Sequence, residues 1–229
     1  MKTFTKLIKL AALVLVPTLA WGSMASLSGL DAASGLKGAL EQGTQAAVAQ
    51  LGAAGGFYNN AKLRIPLPES LQKAEKIMKL AGMGKQSDAL VAKMNEAAEA
   101  AVPLAKPVLV QAIKSMSVDD AKQVLTGGEG SVTQFFKNKT QAQLKTELLP
   151  LVKKTTDQVG LASQYNSLAA KAAPMGLIKG DAANIETYVT GKTLDGLFAV
   201  IAEEEKKIRA NPMAAASSLV QTVFGALRK

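Results

Sequence analysis

The chain has 229 residues, 27 Lys and Arg against 18 Asp and Glu, a net charge of +9, and neither cysteine nor histidine. Without cysteine there can be no disulfide, thiolate zinc site or Cys nucleophile; without histidine, Ser-His-Asp triads and H-E-x-x-H metal helices fall too. Catalysis would have to rest on carboxylates, Lys, Tyr, Ser or Thr, so a non-enzymatic role is expected, with no metal and no cofactor.

Lys2, Lys6 and Lys9 form a basic start, and Leu10 to Ala20 is an apolar stretch shorter than the roughly 20 residues a bilayer span needs. Residues 1–22 therefore read as a signal peptide. Small-x-small patterns at Ala20-Trp21-Gly22 and Ser23-Met24-Ala25 place cleavage after Gly22 or after Ala25, with Gly22 favoured. Cleavage at Gly22 removes three Lys and no acid, lowering the net charge from +9 to +6. No later run is long and uncharged enough to cross a membrane. The expected product is an exported protein, periplasmic where the host has a periplasm, with residues 23–229 forming one domain.

Helix signals then recur and strand signals do not. Leu36, Leu40, Gly43, Ala47 and Leu51 repeat at helical spacing, and Gly52 ends the pattern. Residues 53–68 carry Gly55-Gly56, Asn59-Asn60, Pro66 and Pro68 and read as an irregular loop, packed down by Phe57, Tyr58, Leu63, Ile65 and Leu67. A second helix is expected from about Glu69 to Ala81, with Leu71, Ala74, Met78 and Ala81 on one face, stopping at Gly82-Met83-Gly84. A third begins near Ser87 and presents Leu90, Met94, Ala97 and Ala101. Pro103 and Pro107 should break or kink it before Val108 to Met116 resume. Ser117 and Asp120 have capping-box spacing ahead of Val118, Ala121 and Leu125.

Beyond Gly127-Gly128, Val132, Phe135 and Phe136 suggest a short helix, and Leu144, Leu148, Leu151, Val152 and Val159 a separate longer one bent by Pro150. Tyr165 and Leu168 belong to another, ended by Pro174 and Gly176. Two antiparallel neighbours close the chain: Thr193 to about Ala210, then Pro212 to Leu227, with Asn211 as N-cap and Leu219, Val223 and Leu227 facing inward. With no repeat of solenoid period, the fold expected is all-α: a single irregular multi-helix bundle of eight to ten segments and no sheet.

The basic balance is no argument for nucleic acid. Only Arg64, Arg209 and Arg228 supply guanidinium forks, the other cations being Lys, and aromatics are not interleaved with them. Other motifs fail on inspection. Gly191-Lys192-Thr193 would need glycine at the position of Glu186 to complete a P-loop. Gly127-Gly128-Glu129-Gly130 reads as a turn, and Asn138-Lys139-Thr140 as a chance glycosylation pattern. Asp119-Asp120 lacks the spaced ligands of a calcium loop. One anomaly survives. Leu194, Leu197, Phe198, Ile201 and Ile208 define an apolar stripe with Glu205 near its centre, while Glu203, Lys206 and Lys207 point away. A carboxylate there needs a partner, and Arg209, one turn on, is placed to supply it.

Gly56-Phe57 with Asn60, Ile65-Pro66-Leu67-Pro68, Met94 to Glu99, Asp120-Ala121 and the tail from Tyr188 to Pro212 occur in an order that resembles an exported bacterial family catalogued as domain of unknown function 4197. Gly191-Lys192, Leu194-Asp195-Gly196-Leu197-Phe198, Glu204-Glu205 and Ile208-Arg209 carry the resemblance in the tail. The chain departs from the family pattern at Ser131-Val132-Thr133 and Phe135-Phe136, where Ala-Ala-Thr and Tyr-Phe are usual. The resemblance implies a helical, exported protein and names no reaction.

Arg64, Asn95, Tyr188, Lys192, Asp195, Glu205 and Arg209 are the candidate binding or buried polar residues. Two functional expectations follow. One is non-catalytic binding of a small molecule, lipid or envelope protein in a groove beside the Phe57 to Pro68 loop, in a Met- and Ala-rich interior. The other is a hydrolase of envelope polysaccharide that draws two carboxylates from Glu99, Asp120, Asp195 and Glu205.

Overall fold

The computed structural model describes residues 28–80, 84–125, 127–165 and 184–226. The signal segment 1–22, the helix end expected at Leu168, Pro174 and Gly176, and the positions Ala81 and Leu227 lie outside the described residues, as do the side chains of Ala74 and Met78. Seven α-helices and no strand occur among them: α1 (Gly29–Leu51), α2 (Glu69–Leu80), α3 (Gly84–Lys114), α4 (Val118–Leu125), α5 (Ser131–Gln158), α6 (Ile185–Ala210) and α7 (Ser218–Ala226). Residues 161–165 are also helical. None of these helices is long and apolar enough to cross a membrane.

The four long helices close a ring in which α1 packs on α6, α6 on α5, α5 on α3 and α3 back on α1. Each thereby buries an apolar face against two neighbours, as in a four-helix bundle. The short α4 and α7 cover α1, and α2 leans on α3. Phe136 of α5 meets Phe198 of α6 edge to face, with ring centroids 5.9 Å apart at the heart of the core. The Ser117–Asp120 capping box forms: Asp120 Oδ2 accepts from the Ser117 amide at 2.7 Å, and Ser117 Oγ from the Asp120 amide at 3.2 Å.

Four boundaries differ from expectation. Pro103 and Pro107 do not divide α3, which runs through both as one helix. Both prolines lie on its exposed side, while Ala98, Val102, Ala105 and Leu109 continue one buried face across them. Burial of that face compensates a lost intrahelical bond, a penalty of about 3 kcal/mol per interior proline. Likewise α5 is a single helix in place of two. Its buried row of Val132, Phe136, Thr140, Leu144, Leu148 and Val152 passes through a threonine, whose hydroxyl donates to the Phe136 carbonyl at 2.6 Å and so needs no polar partner elsewhere.

The expected start at Thr193 is the middle of α6. The helix begins at Ile185, where the Asn184 side chain accepts from the Thr187 amide at 2.7 Å. The Thr190 and Thr193 hydroxyls donate back to the Glu186 and Val189 carbonyls, which keeps them within the helix despite low propensity. Pro212 starts only a 3₁₀ turn, Asn211 makes no side-chain cap, and α7 begins at Ser218. It lies chiefly on α1 and buries Val220, Val223 and Phe224, with Leu219 half-buried.

Candidate functional site

Residues 52–68 connect α1 to α2 without forming an α-helix; turns within them satisfy the amides of Gly56, Asn59, Asn60, Leu63 and Arg64, and those of Gly55, Phe57 and Tyr58 need an acceptor from elsewhere. Glu99 of α3 supplies one. Its carboxylate accepts from the amides of Gly55 at 2.9 Å, Phe57 at 3.0 Å and Tyr58 at 3.0 Å. Converging amide dipoles offset the cost of placing the charge where only 9% of the residue is exposed. Gly55 turns the chain into position with φ +78°, a conformation that side chains disfavour.

One turn earlier on α3, Asn95 is fully buried and replaces a strand partner for Ile65. Its Oδ1 accepts from the Ile65 amide at 2.8 Å, and its Nδ2 donates to the Ile65 carbonyl at 2.9 Å and the Val91 carbonyl at 2.7 Å. Phe57 drives the loop inward against Gly196 of α6, where an added Cβ would come within 2.5 Å of the ring. The Tyr188 hydroxyl donates to the Pro66 carbonyl at 3.0 Å. Burial, with Glu69 nearby, pushes the Tyr188 phenol up to about 12. Arg64 lays its guanidinium 4.2 Å over the Tyr58 ring, and Lys192 approaches the Tyr188 ring at 5.8 Å.

The start of α5 is held by a second carboxylate. Gly130, at φ +78°, is its N-cap and has no side chain to accept from the first amides. Glu205 reaches across from α6 and does so: its oxygens accept from the Val132 amide at 3.2 Å and from the Thr133 amide and hydroxyl at 2.8 Å each. Arg209 Nε donates to the same carboxylate at 2.8 Å, its Nη2 donates to Ser131 Oγ at 2.9 Å, and the guanidinium sits 5.3 Å from the Phe224 ring. The pairing expected from the wheel is therefore present with Glu205 only 3% exposed, and the α5 dipole adds to it.

The seven sequence-derived residues thus divide into two groups. Arg64, Asn95, Tyr188 and Lys192 surround the loop, while Glu205 and Arg209 fix α5. Asp195 bonds Lys137 at 3.3 Å beside that second group, its side chain half exposed. Among the described residues Arg64 and Asp195 line separate grooves: Arg64 an open one of about 610 Å³ between the loop, α2 and α3, and Asp195 one of about 500 Å³ between α5 and α6. Of the acids considered for hydrolysis, Glu99 and Glu205 are occupied as described. Asp120 caps α4 and pairs with Lys139, and Asp195 pairs with Lys137. Opposing burial, hydrogen bonds from Lys139 and Ser117 leave the Asp120 carboxyl below its ordinary value. Among the described residues no group of three or more acids is arranged to hold a metal ion.

Sequence reasoning did not find Ser131 and Thr133 as partners of Glu205, since nothing in the sequence links α5 to α6. It named Glu99 only as a candidate acid. Its structural place was signalled, because Val91, Asn95, Glu99 and Val102 follow one another at helical spacing on a buried face.

No curated protein and no solved structure gives a significant match to the chain. The sequence profile of a family described as "protein of unknown function (DUF4197)" matches residues 26–225, which takes in the loop, both carboxylate clamps and every long helix. The chain belongs to the DUF4197 family.

Proposed function

We propose that the protein is exported and acts without catalysis, binding a small molecule, lipid or partner protein of the cell envelope in the groove beside the 53–68 loop. The observation that carries this reading is the clamping of the loop by Glu99, Asn95 and Tyr188, which gives the groove it borders a preformed wall. The volume of about 610 Å³ suits a small ligand or a protruding side chain of a partner. Export rests on the basic start, the short apolar run and the small-x-small sites of residues 1–25. Polysaccharide hydrolysis would need two available carboxyls about 5 to 10 Å apart. The four acids considered for it are each already engaged, so that alternative has no favourable observation.

Two measurements test the reading. N-terminal sequencing of protein from the periplasmic fraction of its host should begin at Ser23 or Ser26; a chain retaining Met1 in the cytoplasm would overturn export. Native mass spectrometry of the same gently purified material should show a bound adduct or partner, and a bare chain mass would count against binding.

A further inference from the structure

The groove beside the loop has an uneven distribution of charge. Lys79 is held by Glu75 at 2.7 Å and approached by Asp88 at 3.5 Å, so that rim is internally paired. Arg64 and Lys76 line the same groove and are exposed, and neither is paired with a carboxylate among the described residues. Arg64 is also set in place, since its guanidinium stacks over Tyr58 on a segment whose backbone is fixed at the next residue, where Asn95 bonds Ile65. Stacking uses a face of the guanidinium and leaves the N–H edge available, the geometry that favours two-point contact with an oxyanion. The groove also offers apolar surface from the exposed Ala61 and Pro66, with Leu67 and Val91 buried behind it.

Resting on the binding reading above, we propose that this groove takes a small amphiphile with a single oxyanion head, carboxylate or phosphate, the head on Arg64 and Lys76 and a short alkyl portion along Ala61 and Pro66. A fixed, unpaired guanidinium is the group that distinguishes it. In the groove between α5 and α6, the lining Lys137 is paired with Asp195 and the lining Glu129 with Lys206. A second cation lining the same groove raises affinity for anions over neutral ligands, and the apolar surface separates an amphiphile from a bare ion.

Isothermal titration of the full mature chain with octanoate and octyl phosphate, both below their micellar concentrations, tests the assignment. Inorganic phosphate serves as the head-only probe and 1-octanol as the neutral one. Both anionic amphiphiles should bind at least about tenfold tighter than either control. Arg64→Gln and Lys76→Gln should each weaken them by about tenfold, with the exposed Lys145→Gln on α5 unchanged. Circular dichroism should show the same fold in every variant. Octanol binding as tightly as octanoate would overturn the anionic part, and phosphate binding as tightly as octyl phosphate the apolar part. Unchanged affinity in both groove variants would overturn the location. If no probe binds while the native protein still carries an adduct, this ligand class is wrong and the broader binding reading stands; a bare native mass removes that reading as well.

Discussion

Glu99 holds its loop with backbone amides alone, whereas Glu205 holds the start of α5 with amides, a hydroxyl and a guanidinium. Both carboxylates are buried on the inner face of a long helix, and both accept from amides that have no backbone acceptor nearby: Gly55, Phe57 and Tyr58 for Glu99, Val132 and Thr133 for Glu205. The difference lies in what neutralises the charge. At the loop, three converging N–H dipoles suffice; at α5 the helix dipole and Arg209 act together. A buried acid is therefore compatible with a purely structural role in two electrostatic settings, and its removal should fail differently in each. Without Glu99, uncharged donors lose an acceptor. Without Glu205, a partly buried cation also loses its partner, because the Arg209 side chain is only 16% exposed.

The largest effect is expected at the second clamp. Glu205→Gln should lower stability by about 3 to 5 kcal/mol, the usual result of leaving one member of a buried ion pair behind. Urea unfolding reads it as a reduced midpoint. Adding Arg209→Met should restore part of the loss, since the stranded cation is removed with its partner. Unaltered midpoints in both, or simple additivity, would mean that the pair does not act as a unit.

Next comes Glu99→Gln, expected to cost about 1 to 3 kcal/mol, because an amide oxygen replaces one acceptor and an NH₂ faces donors. Hydrogen exchange sharpens the contrast with Glu205. The Gly55, Phe57 and Tyr58 amides should exchange faster in the Glu99 variant while Val132 and Thr133 keep their protection. Faster exchange at both segments would show that the two clamps belong to one cooperative unit.

Tyr188→Phe should remove about 0.5 to 1.5 kcal/mol, the worth of one hydrogen bond, here to the Pro66 carbonyl. It also carries a pH signature. The phenol ionises near 10.0 when unfolded and is pushed up to about 12 in the folded chain by burial, with Glu69 adding to it. Because the folded chain keeps this proton longer, its contribution is whole below pH 10 and is lost as pH rises from about 10 to 12. Alkaline unfolding curves of wild type and Tyr188→Phe should converge across that window; parallel curves would contradict the assignment.

These elements differ in how far they could be read from sequence. The Glu205–Arg209 pair was legible because both residues lie on one helix and the apolar stripe between Leu194 and Ile208 makes the acid conspicuous. The loop was legible from Gly55-Gly56, Asn59-Asn60 and the two prolines, and its inward residues Phe57, Ile65 and Leu67 are buried. What it is tied to was not, since Gly55 and Glu99 are 44 positions apart. Continuity of α3 and α5 was obscured by the weight given to local signals. Prolines read as breaks in α3, and α5 was expected as two helices, yet tertiary burial of one continuous face along each helix decides both. Hydroxyls that bond back to their own helix, as at Thr140, Thr190 and Thr193, make polar residues acceptable at core positions that a hydrophobicity pattern counts against a helix.

Asp195 marks the lower end of the scale. It shares α6 with Glu205 and lies beside the same end of α5, yet its side chain is 48% exposed and meets Lys137 at 3.3 Å. Water already solvates most of what the pair offers, so the charge contributes little that is lost on substitution. Asp195→Asn should change stability by no more than about 0.5 kcal/mol, an order below Glu205→Gln ten positions along. A loss of about 2 kcal/mol or more would place Asp195 among the structural acids and show that exposure of the side chain does not set the scale. Equality with wild type in urea together with altered ligand titration would instead make the groove between α5 and α6, rather than the one beside the loop, the surface that binds.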